Sequence, residues 1–505
     1  MAPQSAAPTA GPGVTAADPR RWLILAAVCC AYLMVGLDLA VMNVALPDAQ
    51  QDLGFTDGDR QWIVTAYALP MGSLLLFGGR LTNVLGRKRS VLFALIGFAA
   101  ASILGGAANS FGVLVAARAL QGAFAALLSP ACMSVVATTF TSPKERGKAF
   151  GAVGGVMAIG GSLGLIIGGA LTDSLDWRWC MYINLVFAGV AFLGSATLLT
   201  EQPRQGAHMD IPGVVAASGG LFCLVYGFSN AEDSWSGPST WGFLVTGVLM
   251  LTGFWVWQTR TANPLLPPRV VADRNRGAAY LTTLFVGAGF FSLLLFLVFY
   301  MQTILGYSAI KTGSAMLPMV VCTILVTGAA GARLVPKLGP RPMIPSGLVV
   351  SALGLAWLNF IEVDSTYVSA LLGPLVVIGI GMGLIYSATA NTGTSGVAPE
   401  DAGVASASVN VGQQLGGAIG TALFSTIATD TAADWLADHV AGEPSRSQLH
   451  QAALEGYTVV FLWAACALAL GAVVTAVMLR SGPLPMPEGD GVAKEQSEPL
   501  IADRV

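Results

Sequence analysis

The chain alternates long apolar runs with short polar segments, and most apolar runs are about as long as a membrane is thick. A helix that crosses the hydrocarbon core of a bilayer needs about 20 residues, because each residue advances it by about 1.5 Å. The pattern predicts fourteen such helices, near residues 22–47, 60–80, 90–109, 111–138, 149–171, 178–200, 211–230, 240–258, 277–301, 312–333, 343–361, 369–392, 402–428 and 457–480. The chain is therefore predicted to be an all-α polytopic membrane protein.

The distribution of positive charge predicts the orientation of these helices. With the N-terminus in the cytoplasm and strict alternation, 20 Lys and Arg residues fall on the cytoplasmic side, four fall outside and one, Arg118, lies in the membrane. Cytoplasmic loops carry such an excess of Lys and Arg. We therefore predict an even number of helices, a multi-pass membrane location and both termini in the cytoplasm.

Composition supports this class and leaves little room for another. Of the 505 residues, 54% are hydrophobic and 10% are charged, and the mean hydropathy is +0.68. A soluble protein carries about 25% charged residues. The polar segments are short except for 429–456, which is expected to be soluble and to lie outside the membrane. Because no segment is long enough for a soluble catalytic domain, the chain is not expected to be an enzyme. Its seven cysteines show no metal spacing, and neither a metal nor a cofactor is expected.

The helix count divides the chain into two six-helix bundles with an extra pair of helices between them. Residues 1–21 and 481–505 are polar or rich in Pro and Ala, which predicts disordered cytoplasmic tails. The predicted units are an N-terminal bundle at 22–200, two additional transmembrane helices at 211–258 and a C-terminal bundle at 277–480.

Two charged side chains stand at clear membrane depth, Asp38 in the first predicted helix and Arg118 in the fourth. Burying a charge in hydrocarbon costs several kcal/mol, so such residues are functional candidates by default. Helix geometry places them about 13 and 10 Å below the outer surface, on antiparallel helices. All three histidines fall in predicted loops, so a proton carrier inside the membrane would be a carboxylate. The alternative is a fixed ion pair that only sets helix register.

Polar and polarisable residues near this pair are candidate substrate contacts. Gln121 shares a helix face with Arg118 and would either hold its guanidinium or bind substrate. Met34 and Met42 lie on the same stripe as Asp38, and Met suits a promiscuous apolar pocket, although such a stripe is also ordinary core. Because transporters bind substrate near the midplane between bundles, polar residues of the thirteenth helix complete the set. These are Asn410, Gln413 and Gln414.

Several segments together resemble the major facilitator superfamily, specifically its fourteen-span drug:proton antiporters. They are LDLAVMNVALP (37–47), QWIVTAYAL (61–69), GGRLTNVLGRKR (78–89), RALQG (118–122), GGSLGLIIGGALTDSLDWRWCMYIN (160–184), GYSAIKTGSAMLP (306–318) and GVASASVNVGQQLGGAIGTALF (403–424). The resemblance covers nearly the whole chain between the tails. It implies the major facilitator fold and efflux of drugs or antibiotics driven by the proton gradient, with the Arg of RALQG taking part in coupling. Many relatives in actinomycetes export an antibiotic made by the same cell.

The inner-loop and span-five motifs of that family are present with departures. The inner-loop gate motif corresponds to Gly79, Asn83, Gly86, Arg87, Lys88 and Arg89, and the span-five motif to Gly160, Gly164, Gly168 and Gly169. Asn83 stands where the family has Asp, Leu165 where it has Pro, and Ala40 where the first-span signature has Thr. The basic cluster is expected either to hold the end of a neighbouring helix in place or only to set the orientation of the chain in the membrane. The glycines repeat every four residues, which favours close helix approach, either at a rocking interface between bundles or in static packing.

Together with the resemblance, these observations predict a proton-coupled exporter of amphipathic organic compounds in the bacterial inner membrane. It is expected to act as a monomer, with protons, lipophilic small molecules and the lipid bilayer as partners and no nucleic acid. In the predicted cycle Asp38 takes up a proton from outside while substrate leaves, and Arg118 shifts its proton affinity. Two alternatives stay open. One is a proton-coupled symporter of a small polar metabolite, and the other is a membrane sensor that transports nothing.

Overall fold

The computed structural model describes residues 19–55, 60–140, 142–201, 210–233, 235–398, 401–440 and 442–480. Of the predicted tails at 1–21 and 481–505, residues 1–18 and 481–505 lie outside the described part, and the first helix begins at Arg21. Fourteen long helices, numbered α1 to α14 in chain order, make up most of the described part. They are Arg21–Leu53, Arg60–Leu85, Arg87–Gly106, Phe111–Thr139, Pro143–Ser174, Trp179–Leu198, Ile211–Asp233, Pro238–Gln258, Arg274–Phe299, Ala309–Arg333, Pro340–Trp357, Leu372–Gly393, Ala402–His439 and Arg446–Met478.

Thirteen helices in the described part are long and apolar enough to cross a membrane. The remaining long helix is α13, whose Gly, Ser, Asn and Gln side chains lower its hydropathy. A helix can carry such residues in a membrane when it faces protein rather than lipid, and most residues in the first third of α13 are buried. No strand occurs among the described residues. The predicted all-α membrane fold is confirmed.

The stretch predicted to lie outside the membrane, 429–456, is helical over most of its length. α13 runs on to His439 and α14 already begins at Arg446. The sequence after residue 429 is rich in Ala and contains no Gly or Pro before Gly442, so nothing stops the helix. Ser445 and Gln448 then form a capping box at the start of α14, in which the Ser445 hydroxyl accepts from the Gln448 N–H. The hairpin therefore extends α13 and α14 beyond their apolar segments.

The helices pack in two groups that correspond to the two halves of the chain. In the first half α1 packs on α5 and α6, α2 packs on α4, and α3 packs on α4 and α6. In the second half α9 packs on α13 and α14, α11 on α12 and α14, and α10 on α12. The pair α7 and α8 packs on α2 from the first group and on α13 from the second. The two extra helices therefore lie beside the junction of the groups.

An Asp at the start of α7 fixes this extra pair. The Asp210 carboxylate accepts hydrogen bonds from Gln258 Nε2 at 2.8 Å, Trp257 Nε1 at 2.9 Å and the backbone N–H of Gly213 at 3.0 Å. Burial would raise the pKa of this carboxyl, but the bonds from Gln258, Trp257 and the backbone outweigh it and hold the pKa below its usual range. The cluster therefore joins the start of α7 to the end of α8.

The two groups are in close contact at one end, here named the basic end, which carries Arg21, Lys88, Arg146, Arg269 and Arg333. Glycines stand on both sides of these contacts. A Cβ added to Gly147 of α5 would lie 2.7 Å from the Gly331 carbonyl oxygen of α10, and a Cβ on Gly79 of α2 would lie 2.7 Å from that of Gly403 in α13. Arg146 also donates through Nε to Asn391 Oδ1 of α12 at 2.9 Å. The basic end is therefore closed by direct backbone contact between the halves.

Replacing Gly147 with Val is expected to open the basic end and to lower transport at least about tenfold, because real Cβ atoms do not approach a carbonyl oxygen so closely. Access to the cavity between the two groups is measured with Thr389→Cys, because Thr389 lines that cavity. The cysteine is labelled with a charged maleimide in a background without other cysteines. Gly161→Val on the same helix is the matched control, since a Cβ there would meet no atom within 4 Å. Equal labelling of the two variants would contradict the assignment.

The span-five glycines do not lie between the two groups, as a rocking interface requires. A Cβ on Gly160, Gly164 or Gly168 would meet α1, at Gly36, at Leu37 and Ala40, and at Val41 respectively. Gly169 is buried beside them and accepts from the Thr172 hydroxyl. The ridge therefore belongs to the packing of α5 on α1 within the first group. Because α5 contains no Pro after its first residue, the helix runs without interruption, and Leu165 packs into the apolar core of the second group.

Candidate functional site

Asp38 and Arg118, the two intramembrane charges, form an ion pair inside the first helix group. Arg118 Nη1 donates to Asp38 Oδ2 at 2.6 Å, and each side chain is only 1% exposed. A hydrogen bond between two ions is about twice as strong as a neutral one. Burial removes water from both charges, so the pair depends on the protein for its remaining hydrogen bonds.

Uncharged polar side chains supply those bonds. Gln121 accepts from Arg118 Nη1 through Oε1 at 2.7 Å and donates through Nε2 to Asp38 Oδ1 at 3.1 Å and to Ser102 Oγ at 2.8 Å. Asn184 donates through Nδ2 to Asp38 Oδ1 at 2.6 Å and lies 3.4 Å from Ser102 Oγ. All three of these side chains are fully buried. The Asp38 carboxylate thus receives three donors, an arrangement that suits its ionised form.

The guanidinium of Arg118 has further contacts with α2. Its Cζ lies 4.5 Å from the centroid of the Tyr67 ring, which is cation–π geometry, and its Nε donates to the Ile63 carbonyl at 3.4 Å. The Tyr67 hydroxyl is buried and has no hydrogen-bond partner in the described part of the chain. The network of Asp38, Arg118, Gln121, Ser102, Asn184 and Tyr67, named the charge network below, therefore joins α1, α2, α3, α4 and α6.

The charge network changes its chemistry only if one contact gives way. Both oxygens of Asp38 face donors, so a proton added to either oxygen would meet an N–H group. Uptake of a proton therefore requires withdrawal of Arg118 or reorientation of an amide. Either event would alter a bond between helices.

The two methionines predicted on the stripe of Asp38 belong to the apolar core. Met34 is buried among residues of α2, α3 and α4, and Met42 among residues near the opposite ends of α1, α4 and α6. They pack above and below Asp38 and keep water from it. Among the described residues, neither lines the cavity between the two groups.

That cavity lies between the groups and is lined from both. Its walls include Tyr32, Met133, Phe150 and Val153 from the first half and Thr283, Val286, Tyr386, Thr389, Asn410 and Gln413 from the second. Its volume is about 50 Å³, whereas a site for a drug-sized ligand is about 300–1,000 Å³. The described lining residues include no carboxylate, ammonium or guanidinium group. The Thr389 hydroxyl, 2% exposed, has no partner among described residues.

Two of the three predicted polar residues of α13 therefore reach the cavity. Asn410 donates to the Ser406 carbonyl at 3.1 Å, and Asn410 and Gln413 line the cavity together with Tyr32 and Tyr386. Gln414 contacts Met71 Sδ of α2 at 3.7 Å instead. Gln121 holds the guanidinium of Arg118 and does not line the cavity, which leaves the charge network and the cavity as separate sites.

The basic cluster of the inner-loop motif binds other helices of the first group. Gly86 has φ 87°, which an L residue rarely adopts, and forms the single-residue turn between α2 and α3. Arg87 donates to Ser134 Oγ of α4 at 2.9 Å, and Lys88 donates to the Ala196 carbonyl near the end of α6 at 2.7 Å. Arg89 forms an ion pair with Glu201. The three side chains thus hold α3 against α4 and the end of α6.

The gate residues Gly79 and Asn83 face the other group instead. Asn83 Oδ1 lies 2.8 Å from the place where a Cβ on Gly403 would stand, at the first turn of α13. A helix N-terminus attracts negative charge, so an Asp here would be attracted to α13 more strongly than the neutral Asn83. The closure of the basic end in this chain therefore depends on glycine packing more than on charge.

Ser102, Tyr67 and Asn184 are the members of the charge network that sequence reasoning missed. Each is a single uncharged polar residue in an apolar helix, which is common in membrane proteins and gives a weak signal. Asn184 closes the segment WRWCMYIN quoted above, so its motif was visible but its role was not. The pairing of these side chains with Asp38 depends on which helices are neighbours.

Comparison with known proteins agrees with this architecture. The family model of the Major Facilitator Superfamily matches residues 28–421 of the chain. The puromycin resistance protein pur8 of Streptomyces alboniger is 44% identical over 481 residues, covering 94% of this chain and 95% of that protein. The cephamycin export protein CmcT of Amycolatopsis lactamdurans is 38% identical, covering 80% of this chain and 84% of that protein.

Two solved structures are similar in fold. The human organic anion transporter MFSD10 (TETRAN) superposes with a TM-score of 0.65 at 15% identity, covering 91% of this chain and 100% of that chain. The proton:xylose symporter XylE superposes with a TM-score of 0.63 at 15% identity, covering 93% of this chain and 98% of that chain. At this identity the likeness concerns the path of the helices alone.

Proposed function

The chain belongs to the major facilitator superfamily, and we propose that it exports amphipathic organic compounds across the bacterial cell membrane in exchange for protons. The observation that carries the proposal is the charge network, in which a fully buried carboxylate is paired with a fully buried guanidinium at membrane depth. Burying two charges in a membrane costs free energy, and a role in proton transfer would account for a pair at this position. Efflux is supported by the names of the relatives, which are resistance and export proteins.

The proposed orientation places the basic end in the cytoplasm and both termini with it. It follows from the excess of Lys and Arg in the loops of that end. In this orientation the glycine contacts of Gly147 with Gly331 and of Gly79 with Gly403 close the cytoplasmic side. The structure then corresponds to a state in which substrate has no route from the cytoplasm.

Coupling between proton and substrate is indirect in this proposal, because the charge network does not line the cavity. Proton uptake by Asp38 weakens its attraction for Arg118, which loosens α1 from α4. α1 packs through Gly160, Gly164 and Gly168 on α5, and α5 in turn packs on α10 of the other group. A shift of α1 therefore reaches the closed end through one intermediate helix. The packed helices form the mechanical link between the two sites.

The cavity supports a substrate that is largely apolar and carries hydrogen-bonding groups. Its walls combine the aromatic rings of Tyr32, Phe150 and Tyr386 with the amides of Asn410 and Gln413. Because the cavity holds about 50 Å³ in this state, the bundles must separate before an organic molecule of drug size can enter. A compound whose charge is neutralised on entry suits these walls best, since they offer it no counter-ion.

The proposal is tested with inside-out vesicles that contain the protein and a fluorescent pH probe in an acidified lumen. Addition of lipophilic drugs is expected to cause lumenal alkalinisation, because each drug molecule that enters the lumen releases protons from it. Vesicles without the protein supply the baseline. Proton movement with sugars or other polar nutrients, and none with drugs, would indicate a symporter, while no movement with any compound would contradict transport.

Replacing Asn410 with Ala is expected to raise the drug concentration at half-maximal efflux about fivefold to thirtyfold, because a hydrogen bond in a closed site contributes about 1–2 kcal/mol. The maximal rate is expected to stay within about twofold, since Asn410 is remote from the charge network. The measurement is the alkalinisation rate against drug concentration, with Asn230→Ala at the end of α7 as the control. An unchanged half-maximal concentration for every drug would exclude Asn410 from recognition.

A further inference from the structure

Two polar atoms of the charge network have no partner in the described part of the chain, and while one is the Tyr67 hydroxyl, the other belongs to the amide of Asn184. The Oδ1 atom of its carboxamide is buried without a hydrogen bond to any described residue, while Nδ2 donates to Asp38. Gln121 differs, since its Oε1 accepts from Arg118 and its Nε2 donates to Ser102 and Asp38. A carboxamide bonded at both ends is held in place. Asn184 is bonded through Nδ2 only, so a rotation of its carboxamide breaks no hydrogen bond at Oδ1.

Protonation of Asp38 changes the hydrogen-bonding group that it requires from Asn184, from a donor to an acceptor. The ionised carboxylate accepts only, and Nδ2 of Asn184 supplies a donor at 2.6 Å. Once Oδ1 of Asp38 carries a hydrogen, that O–H faces the N–H of Asn184, donor against donor. Rotation of the carboxamide by a half-turn places the Asn184 Oδ1 at the same distance, which suits an O–H···O bond.

We propose that Asn184 is a positioning residue that changes its hydrogen bond with the protonation state of Asp38. Its Nδ2 donates to the ionised carboxylate, and after rotation its Oδ1 accepts from the protonated one. The proton comes from the outer side of the membrane and binds the Asp38 carboxylate. No other covalent bond forms or breaks in this step. This inference rests on the proposed function, which supplies the proton cycle.

Few charged or titratable groups face Asp38, so the change of hydrogen bond at Asn184 is the main response of this site to protonation. Arg118 on α4 and Tyr67 on α2 are the charged and titratable groups that face it. On α6, Cys180 lies one turn from Asn184, and its thiol points to the Gly168 carbonyl. α3 presents Ser102, and α5 presents the glycine ridge. Among described residues, Asn184 is thus the side chain that can serve both forms of the carboxyl.

The exchange has a structural consequence for the order in which helices separate. Asn184 keeps α6 bonded to α1 in both protonation states, and the Ser102 hydroxyl, 3.4 Å from Nδ2, can donate to Oδ1 after the rotation. Arg118 loses its counter-ion when Asp38 becomes neutral. Proton uptake is therefore expected to weaken the contact of α1 with α4, leaving the bond from Gln121, while α1 and α6 stay together.

The test is infrared difference spectroscopy of the purified protein in lipid, between about pH 5 and about pH 8, with asparagine labelled by carbon-13 at the side-chain carbonyl. We expect a carboxylic acid band that depends on Asp38, and with it a shift of one labelled Asn carbonyl. Asn184→Leu, which is close in volume, removes that shift. Asn230→Leu, at a half-buried position on α7 remote from the charge network, keeps it and serves as the matched control.

The substitutions also move the titration midpoint of the Asp38 band. Asn184→Leu is expected to raise the midpoint by about one pH unit, a tenfold change in proton affinity, because the ion loses a stronger bond than the acid does. Asn184→Ser keeps a hydroxyl that can donate or accept, so its midpoint is expected within about half a unit of the wild type. The serine variant also guards against a folding defect in the leucine variant.

The outcomes separate the inference from the function on which it rests. A titrating Asp38 band without any shift of the Asn184 carbonyl, and with the same midpoint in Asn184→Leu, would overturn the role of Asn184 and leave Asp38 as carrier. Absence of any band that depends on Asp38 would overturn the carrier itself. Loss of the carbonyl shift in both Asn184→Leu and Asn230→Leu would also contradict the assignment to Asn184.

Discussion

Asp38→Asn is expected to abolish drug-dependent proton movement in vesicles, to less than about 1% of the wild-type rate, while the protein stays folded. Asn has the shape of Asp but cannot release a proton at any pH used in such an experiment. The variant resembles the protonated state that the cycle visits in any case, so the fold already tolerates a neutral residue 38. Gln121, the Ile63 carbonyl and the Tyr67 ring still contact Arg118 in that state.

The measurement compares initial alkalinisation rates with the amount of folded protein, determined by fluorescence-detected gel filtration. Asp48→Asn is the matched control, because Asp48 lies on the same helix and is exposed. That variant is expected to keep the wild-type rate. Rapid drug-driven proton movement by a well-folded Asp38→Asn protein would remove the carboxylate from the mechanism.

Arg118→Gln is expected to stop transport by the opposite route, by keeping Asp38 protonated. Without the guanidinium, an ionised Asp38 in this buried site would lack its counter-ion, which costs about 3–5 kcal/mol. The carboxyl avoids that cost by holding a proton at neutral pH, so release fails and the cycle stalls. Arg118→Lys keeps the charge but loses the contacts made by Nε, and is expected to retain about a tenth of the rate.

Thermal stability provides the readout that distinguishes this mechanism from simple misfolding. In Arg118→Gln the folded state binds a proton on Asp38 that the unfolded chain releases, so stability falls as pH rises. The melting temperature is expected to drop from about pH 5 to about pH 8 in Arg118→Gln and not in Arg118→Lys. Equal melting temperatures at both pH values would contradict the shift of the proton onto Asp38.

The helices were largely readable from the sequence because burial in a membrane acts on each helix separately. Fourteen apolar segments gave fourteen long helices, although boundaries moved, as where α13 continued from the predicted end at residue 428 to His439. The glycine ridge on α5 shows the limit of this reasoning. Its spacing required a close neighbour, but only the assembled structure shows that the neighbour is α1 and that Gly147 and Gly79 close the junction instead.

By itself the sequence determined the membrane-spanning class, the number of long helices and the choice of Asp38 and Arg118 as functional candidates. These conclusions depend on hydropathy and on the cost of a buried charge, both of which act locally along the chain. Only the tertiary structure decided that Asp38 pairs with Arg118, that Asn184 and Ser102 complete the network, and that the network is separate from the cavity at Asn410. A helical period shows which residues share a face, but many arrangements of six helices satisfy the same faces. A single amide in an apolar helix costs too little to reveal its partner before the helices are packed.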